Sequence, residues 1–162
     1  MFNKLFKKSK DSEIYAPITG EIVALEKVPD PVFSQKMMGE GVAIKPSSGE
    51  VVAPVNGEVV QVAPTKHAIG VRAEDGTEIL IHVGLETVSL DGEGFSVQVN
   101  VGDHVSVGQT MMQVDLSYVK EHAKDIITPI VITNSNTSNR AYTVTQNQAS
   151  EAGDTVLLTY ES

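Results

Sequence analysis

The run K-H-A-I-G-V-R-A-E-D-G-T-E-I-L-I-H-V-G-L-E-T-V, Lys66 to Val88, decides how this chain is read. Two β-rich runs flank Asp75-Gly76, the dipeptide best suited to a two-residue hairpin turn because both positions tolerate positive φ. A two-residue loop there sets His82 opposite Ile69 and His67 opposite Gly84. His67, Ile69 and His82 then share one face. The histidines sit on a diagonal at roughly 7–8 Å between backbones, a gap that long side chains close. A slip of one residue would send the two imidazoles to opposite faces, so the pairing depends on the turn.

Outward from this hairpin, the chain is punctuated by turns. A-P-I-T-G-E-I-V-A-L at 16–25 recurs almost unchanged as A-P-V-N-G-E-V-V-Q-V at 53–62. In each copy Pro sets an extended entry, Gly turns, and β-branched residues follow. A G-D-x-V unit occurs at Gly102 and again at Gly153. Short β runs at this spacing predict an all-β fold, an antiparallel sandwich or barrel-like arrangement with internal duplication. Helix is confined to brief turns. Asp115 caps one over Leu116 to Ala123, and Pro29-Asp30-Pro31 opens another through Phe33, Met37 and Met38 to Gly39. Asn134 to Asn139 reads as a polar loop.

With 162 residues, the chain fits one domain that buries about 70% of its unfolded surface. Residues 13–162 are assigned to that domain and residues 1–12 to a flexible basic segment. In that segment Phe2, Leu5 and Phe6 share a helical face with Lys4, Lys7 and Lys8 around it, which predicts a weak membrane-surface contact through residues 2–10. No apolar run approaches the ~18 residues that span a bilayer, and the N-terminus lacks the apolar stretch of a secretion signal. The absence of cysteine excludes disulfides, thiolate metal sites and a cysteine nucleophile, and the chain is expected in the cytoplasm. The formal net charge is −9; the first ten residues carry four lysines and no acid, leaving −13 on the rest. An acidic body disfavours nucleic acid and suits a basic protein partner.

Of the four histidines, His104 and His122 lie among polar neighbours and read as surface residues. His82 projects from the apolar run Ile79-Leu80-Ile81 and Val83. A lone histidine there is ordinarily a satisfied core residue, but His67 on the same face, with Thr65 two residues further along it, turns the reading towards a site. The motifs G-x-S-x-G, H-E-x-x-H and the phosphate-cradling G-x-x-x-x-G-K-[ST] are all absent. Two chemistries stay open. His67, His82 and Glu86 could hold zinc with water as fourth ligand, or one imidazole could itself be a nucleophile that takes a phosphoryl group. A biotin- or lipoate-type carrier is disfavoured, since Lys36-Met37-Met38 lacks a methionine at position 35.

The run Gly76-Thr77-Glu78-Ile79-Leu80-Ile81-His82-Val83-Gly84-Leu85-Glu86-Thr87-Val88 resembles the active-site signature of the glucose-type enzyme IIA family of the bacterial phosphoenolpyruvate-dependent sugar phosphotransferase system. Val28-Pro29-Asp30, Val32-Phe33, Lys36 to Gly39, Ile44-Lys45-Pro46, Pro64 to Ala68, Gly92 to Phe95 and Thr128 to Val131 match the family's pattern as well, in order, from about residue 14 to 160. The resemblance implies the family's antiparallel β-sandwich and a phosphocarrier. His82 would be phosphorylated through Nε2 by phospho-HPr and would pass the group to a cysteine of enzyme IIB during sugar uptake. His67 would hydrogen-bond the phosphoryl oxygens and Thr65 would orient its ring. The family commonly has Asp where this chain has Glu86.

Phosphoryl transfer is catalysed mainly by positioning and charge stabilisation, and a neutral imidazole is a competent nucleophile near pH 7, so no cofactor is required. Val32, Phe33, Ile69, Leu80 and Glu86 are expected to form the docking surface around His82 for HPr and enzyme IIB, the apolar ones excluding water. Since the chain has neither cysteine nor span, the IIB and IIC parts are expected on separate polypeptides. Regulatory binding of protein clients in the unphosphorylated state, with zinc held at the contact by His67 and His82, is a further expectation from the family.

Overall fold

The computed structural model describes residues 11–137 and 140–161. The stretch 2–10 expected to touch a membrane falls outside these residues. Asp11 and Ser12, assigned above to the N-terminal segment, pair with Glu161 and Tyr160. In chain order the strands are β1 (Asp11–Tyr15), β2 (Gly20–Ala24), β3 (Glu40–Pro46), β4 (Glu50–Val52), β5 (Gly57–Val62), β6 (Ala68–Ala73) and β7 (Glu78–His82). They continue as β8 (Phe95–Val97), β9 (His104–Val105), β10 (Thr110–Val114), β11 (Thr128–Ile132), β12 (Tyr142–Val144), β13 (Ala149–Ser150) and β14 (Val156–Glu161). An eight-stranded sheet runs β13-β2-β3-β11-β7-β6-β5-β9, and two three-stranded sheets run β1-β14-β12 and β4-β10-β8, with antiparallel pairing throughout. This is the expected β-sandwich with few helices, without closure into a barrel.

The order of the large sheet reads the same from either end once β13, β2, β3 and β11 are matched to β9, β5, β6 and β7. The small sheets match likewise, β1 with β4, β14 with β10 and β12 with β8. The duplication seen at 16–25 and 53–62 therefore extends over the whole fold, with one copy (β4 to β10) inserted between β3 and β11 of the other. A local two-fold passes through the Ile81–Ile130 pair. Matched backbone bonds follow it: Tyr15 N–H donates to Pro54 O at 2.9 Å, and Val52 N–H to Pro17 O at 2.8 Å. The two G-D-x-V units are not equivalent, however. Gly153 donates to Ala16 O as Gly108 does to Ala53 O, so Gly108 is the counterpart of Gly153.

Each face of the large sheet buries its own core. Ile69, Val71, Ile79, Ile81, Ile130 and Ile132 join the main core between the sheets. Alternate positions Ala68, Leu80 and Val131 pack on the other face with Leu25, Val28, Phe33 and Leu85. What covers that second face is the connection between β2 and β3. It forms a 3₁₀ turn at Leu25–Lys27 and the short helix α1 (Pro31–Ser34), capped by Asp30 Oδ1 accepting from Val32 N–H at 3.0 Å. The helix stops at Ser34 instead of running to Gly39, because Lys36 adopts φ 59° and reverses the chain. The equivalent connection between β5 and β6 is only Ala63 to His67. Helix α2 (Leu116–His122) begins at Asp115 as its sequence indicates, and the loop at 134 carries a 3₁₀ turn at Ser135–Thr137.

The conserved geometry at the start of each repeat leaves no room for a side chain. A Cβ on Gly20 would lie 2.1 Å from Lys45 O, and one on Gly57 would lie 2.1 Å from Arg72 O. Both obstacles are strand backbone, which cannot move aside without breaking the ladder. Gly57→Ala is expected to lower the unfolding free energy by about 1–3 kcal/mol, read as a lower urea midpoint at unchanged slope; an unchanged midpoint would contradict this register.

Candidate functional site

The β6–β7 hairpin carries the two histidines, but with a register one residue away from the sequence expectation. Ala68 faces His82 and Ile69 faces Ile81. The loop holds three residues, Glu74-Asp75-Gly76, because Ala73 N–H donates to Thr77 O at 2.7 Å. Asp75 dictates this: its Oδ1 accepts from Thr77 N–H at 3.0 Å and its Oδ2 from the Tyr160 hydroxyl at 2.8 Å. The diagonal predicted from a two-residue loop is therefore not the reason the imidazoles meet. His67 lies just outside β6, after Lys66 at φ 65°, and this bend returns its side chain to the His82 face. The rings then stand edge to face with centroids 4.8 Å apart.

His82 ends β7 half-buried, with the Phe33 ring tilted against it at 5.1 Å. Its Nδ1 lies 2.9 Å from Gly84 O. A carbonyl can only accept, so Nδ1 carries the proton and the lone pair of the neutral ring is on Nε2. Gly84 reaches this position at φ +78°, and a Cβ there would meet Thr87 Cγ2 at 2.6 Å and Asp125 O at 2.9 Å. Thr87, fully buried, donates its hydroxyl to Val83 O at 2.7 Å. Val83 N–H in turn donates to His67 O at 2.8 Å, tying the two histidine backbones together. His67 is buried, and its Nδ1 lies 2.8 Å from Thr65 Oγ1.

Burial disfavours the imidazolium in both rings. It holds His67 below the ordinary histidine range, with the Thr65 backbone acting against it. For His82, burial is again the largest cause, the neighbouring His67 charge adds to it, and Gly84 O and Asp30 oppose. Both rings are thus neutral at neutral pH. The result is a nitrogen nucleophile on one ring beside a second ring able to donate a hydrogen bond, in a largely apolar hollow.

The other expected residues divide. Val32 is exposed at the rim of α1, 39% accessible, while Phe33 is buried and reaches His82 from beneath. Leu80 lies on the His82 face but under the second core. Ile69 is corrected: it is fully buried in the main core on the opposite face, a direct consequence of the one-residue shift, and offers no docking surface. Glu86, at φ 59°, projects into solvent 4.0 Å from Lys124. Among the described residues no three His, Asp or Glu side chains gather as a metal site, so Glu86 does not complete one with the histidines. The pair alone supplies two of the four ligands that zinc takes. Gly84, Thr87 and Asp30 were not singled out as site residues, although H-x-G-x-x-T lay inside the run that was. Only the fold reveals that the glycine turns its carbonyl back onto the ring.

A profile of the family described as "phosphoenolpyruvate-dependent sugar phosphotransferase system, EIIA 1" matches residues 12–138. The chain belongs to this family. It is therefore an EIIA component, one of the phosphotransferase components of the system. It is 54% identical over 139 residues to the "PTS system glucose-specific EIIA component" of Staphylococcus epidermidis, covering 83% of this chain and 84% of that one. It is 61% identical over 126 residues to the "PTS system glucoside-specific EIICBA component" of Staphylococcus carnosus, covering 78% of this chain. There the chain spans only 18% of its relative's length. Among solved structures, glucose permease IIA from Mycoplasma capricolum superposes with TM-score 0.83 at 38% identity, over 93% of this chain and 96% of that one. No helix among the described residues is long and apolar enough to cross a membrane.

The depressed histidines fix the sign of a pH effect. Between their folded midpoints and the ordinary value near 6.5 the unfolded chain binds more protons, so stability is complete above that value and declines as pH falls through this window. Histidine NMR titration should give midpoints below 6.5 for His67 and His82. His67→Gln, which deletes the neighbouring charge but not the burial, should raise the midpoint of His82. An unmoved or lowered His82 midpoint would contradict the electrostatic coupling.

Proposed function

We propose that this EIIA component is a phosphocarrier whose nucleophile is His82 Nε2, accepting a phosphoryl group from phospho-HPr and delivering it to a cysteine of an enzyme IIB during sugar uptake. The observation that carries this reading is the commitment of His82 Nδ1 to Gly84 O, which leaves Nε2 as the basic nitrogen. In the accepting step the N–P bond of the donor breaks and the Nε2–P bond forms, through a loose, metaphosphate-like transition state. As Nε2 gives up its lone pair, positive charge spreads over the ring, and Gly84 O stabilises it at the Nδ1 proton. In the delivering step an enzyme IIB thiolate attacks phosphorus and the lone pair returns to Nε2.

His67 is the stabiliser of the moving group. With the Thr65 hydroxyl donating to Nδ1, its Nε2–H becomes a donor for phosphoryl oxygens, and burial keeps this ring neutral without abolishing that donor. Phe33 beneath the ring limits water access and so the hydrolysis of a phosphohistidine. Exposed Val32 offers an apolar contact to a partner, and Glu86 an acidic one to the basic surface that a chain of net charge −9 favours. The proteins named above act on glucose or a glucoside, and we assign this chain to the same sugar class. Its site of action is the cytoplasmic face of the membrane.

Enzyme I, HPr and phosphoenolpyruvate should label the protein with one phosphoryl group, and His82→Ala should abolish the label. His67→Gln should still be labelled yet pass the group to enzyme IIB about 10²–10³-fold more slowly, the range for losing one preorganised donor. Undiminished onward transfer by that variant would remove His67 from its role, and persistent labelling of His82→Ala would remove His82.

A further inference from the structure

The lone pair on His82 Nε2 exists only while Nδ1 keeps its proton, yet a free imidazole prefers the opposite tautomer, with the proton on Nε2. Something in the fold must hold the acceptor in place. Gly84 O belongs to the same peptide group as Leu85 N–H, and in a trans peptide these two point in opposite directions. Leu85 N–H is fixed by Asp125 O at 2.8 Å, so the carbonyl on the other side is aimed at His82 and polarised by that bond. One residue earlier, Val83 N–H is fixed on His67 O and Val83 O receives the Thr87 hydroxyl at 2.7 Å. The Thr87 methyl, meanwhile, fills the space that a side chain on Gly84 would need.

We propose that Thr87 is a positioning residue for phosphoryl transfer: its buried hydroxyl anchors Val83 O, holds the left-handed turn at Gly84, and thereby keeps the Gly84 carbonyl on His82 Nδ1. This rests on the phosphocarrier reading of His82 and deepens it. The Thr87 hydroxyl donates to Val83 O, while His82 Nδ1 donates to Gly84 O, so Thr87 acts on the ring through the backbone. It acts on the tautomer. Both parts of the side chain are used, the hydroxyl to fix a peptide and the methyl to fill the hollow beneath the turn, and each can be removed separately. Without the hydroxyl, Val83 O is a buried acceptor lacking its partner, and rotating the 83–84 peptide towards another donor would swing Gly84 O away from the ring.

The test compares wild type, Thr87→Val and Thr87→Ser by ¹⁵N NMR of the imidazole nitrogens at neutral pH, and by the rate of phosphoryl acceptance from phospho-HPr. Wild type should show His82 as the Nδ1–H tautomer alone. Thr87→Val, keeping the methyl, should show a mixture containing Nε2–H and accept phosphate about tenfold or more slowly, as expected for a displaced reacting group. Thr87→Ser, keeping the hydroxyl, should restore both readouts. A Thr87→Val protein with the wild-type tautomer, whatever its melting temperature, overturns the proposal, and so does a wild-type spectrum showing Nε2–H. If Thr87→Val does not fold, Thr87→Ala takes its place with the same two outcomes. Wild type that is never phosphorylated overturns the phosphocarrier reading instead, and leaves the tautomer result standing.

Discussion

The bond between His82 Nδ1 and Gly84 O, 2.9 Å long and set in a half-buried hollow, organises the site. It chooses which ring nitrogen is basic, and it requires a backbone that doubles back within two residues of a strand end. A glycine at φ +78° makes that reversal without steric cost. The residues around it follow from the same requirement: Val83 pinned between His67 and Thr87, Leu85 pinned to Asp125. Burial then keeps both imidazoles neutral at neutral pH, so the chosen nitrogen is available as a nucleophile.

The position of this site is explained by where the two repeats differ. Their strands match one for one about the Ile81–Ile130 pair, whereas their connections do not. One copy joins β2 to β3 by a long segment that lays Phe33 over the sheet; the other joins β5 to β6 by five residues that carry Thr65 and His67. His82 stands between them beside the local axis. A symmetric framework thus holds His82 at a strand end, and asymmetric loops bring Phe33 and His67 against it, in keeping with the general placement of functional residues on loops held by a fixed scaffold.

Much of this was legible in the sequence. The Pro/Gly-punctuated β runs, the repeat at 16–25 and 53–62, the helical turn opened by Pro29-Asp30-Pro31 and the cap at Asp115 all rest on local backbone chemistry, which a sequence states directly. The register of the central hairpin was not legible from Asp-Gly alone, because Tyr160, 85 positions away, holds the Asp75 carboxylate and helps select the three-residue loop. That single shift buries Ile69 on the far face, while His67 meets His82 regardless, since it lies outside the strand where period-two alternation no longer applies. Thr87 and Gly84 were visible as letters within the signature. Their roles depend on peptide orientation, which no pattern of residue types encodes.

The central claim is that Nε2 of His82 is the nitrogen that takes phosphorus. One-bond ³¹P–¹⁵N coupling in the phosphorylated, ¹⁵N-histidine-labelled protein tests it most directly. Coupling to His82 Nε2, with the Nδ1 proton retained, is the predicted result. Coupling to His82 Nδ1, or to either nitrogen of His67, would contradict the account.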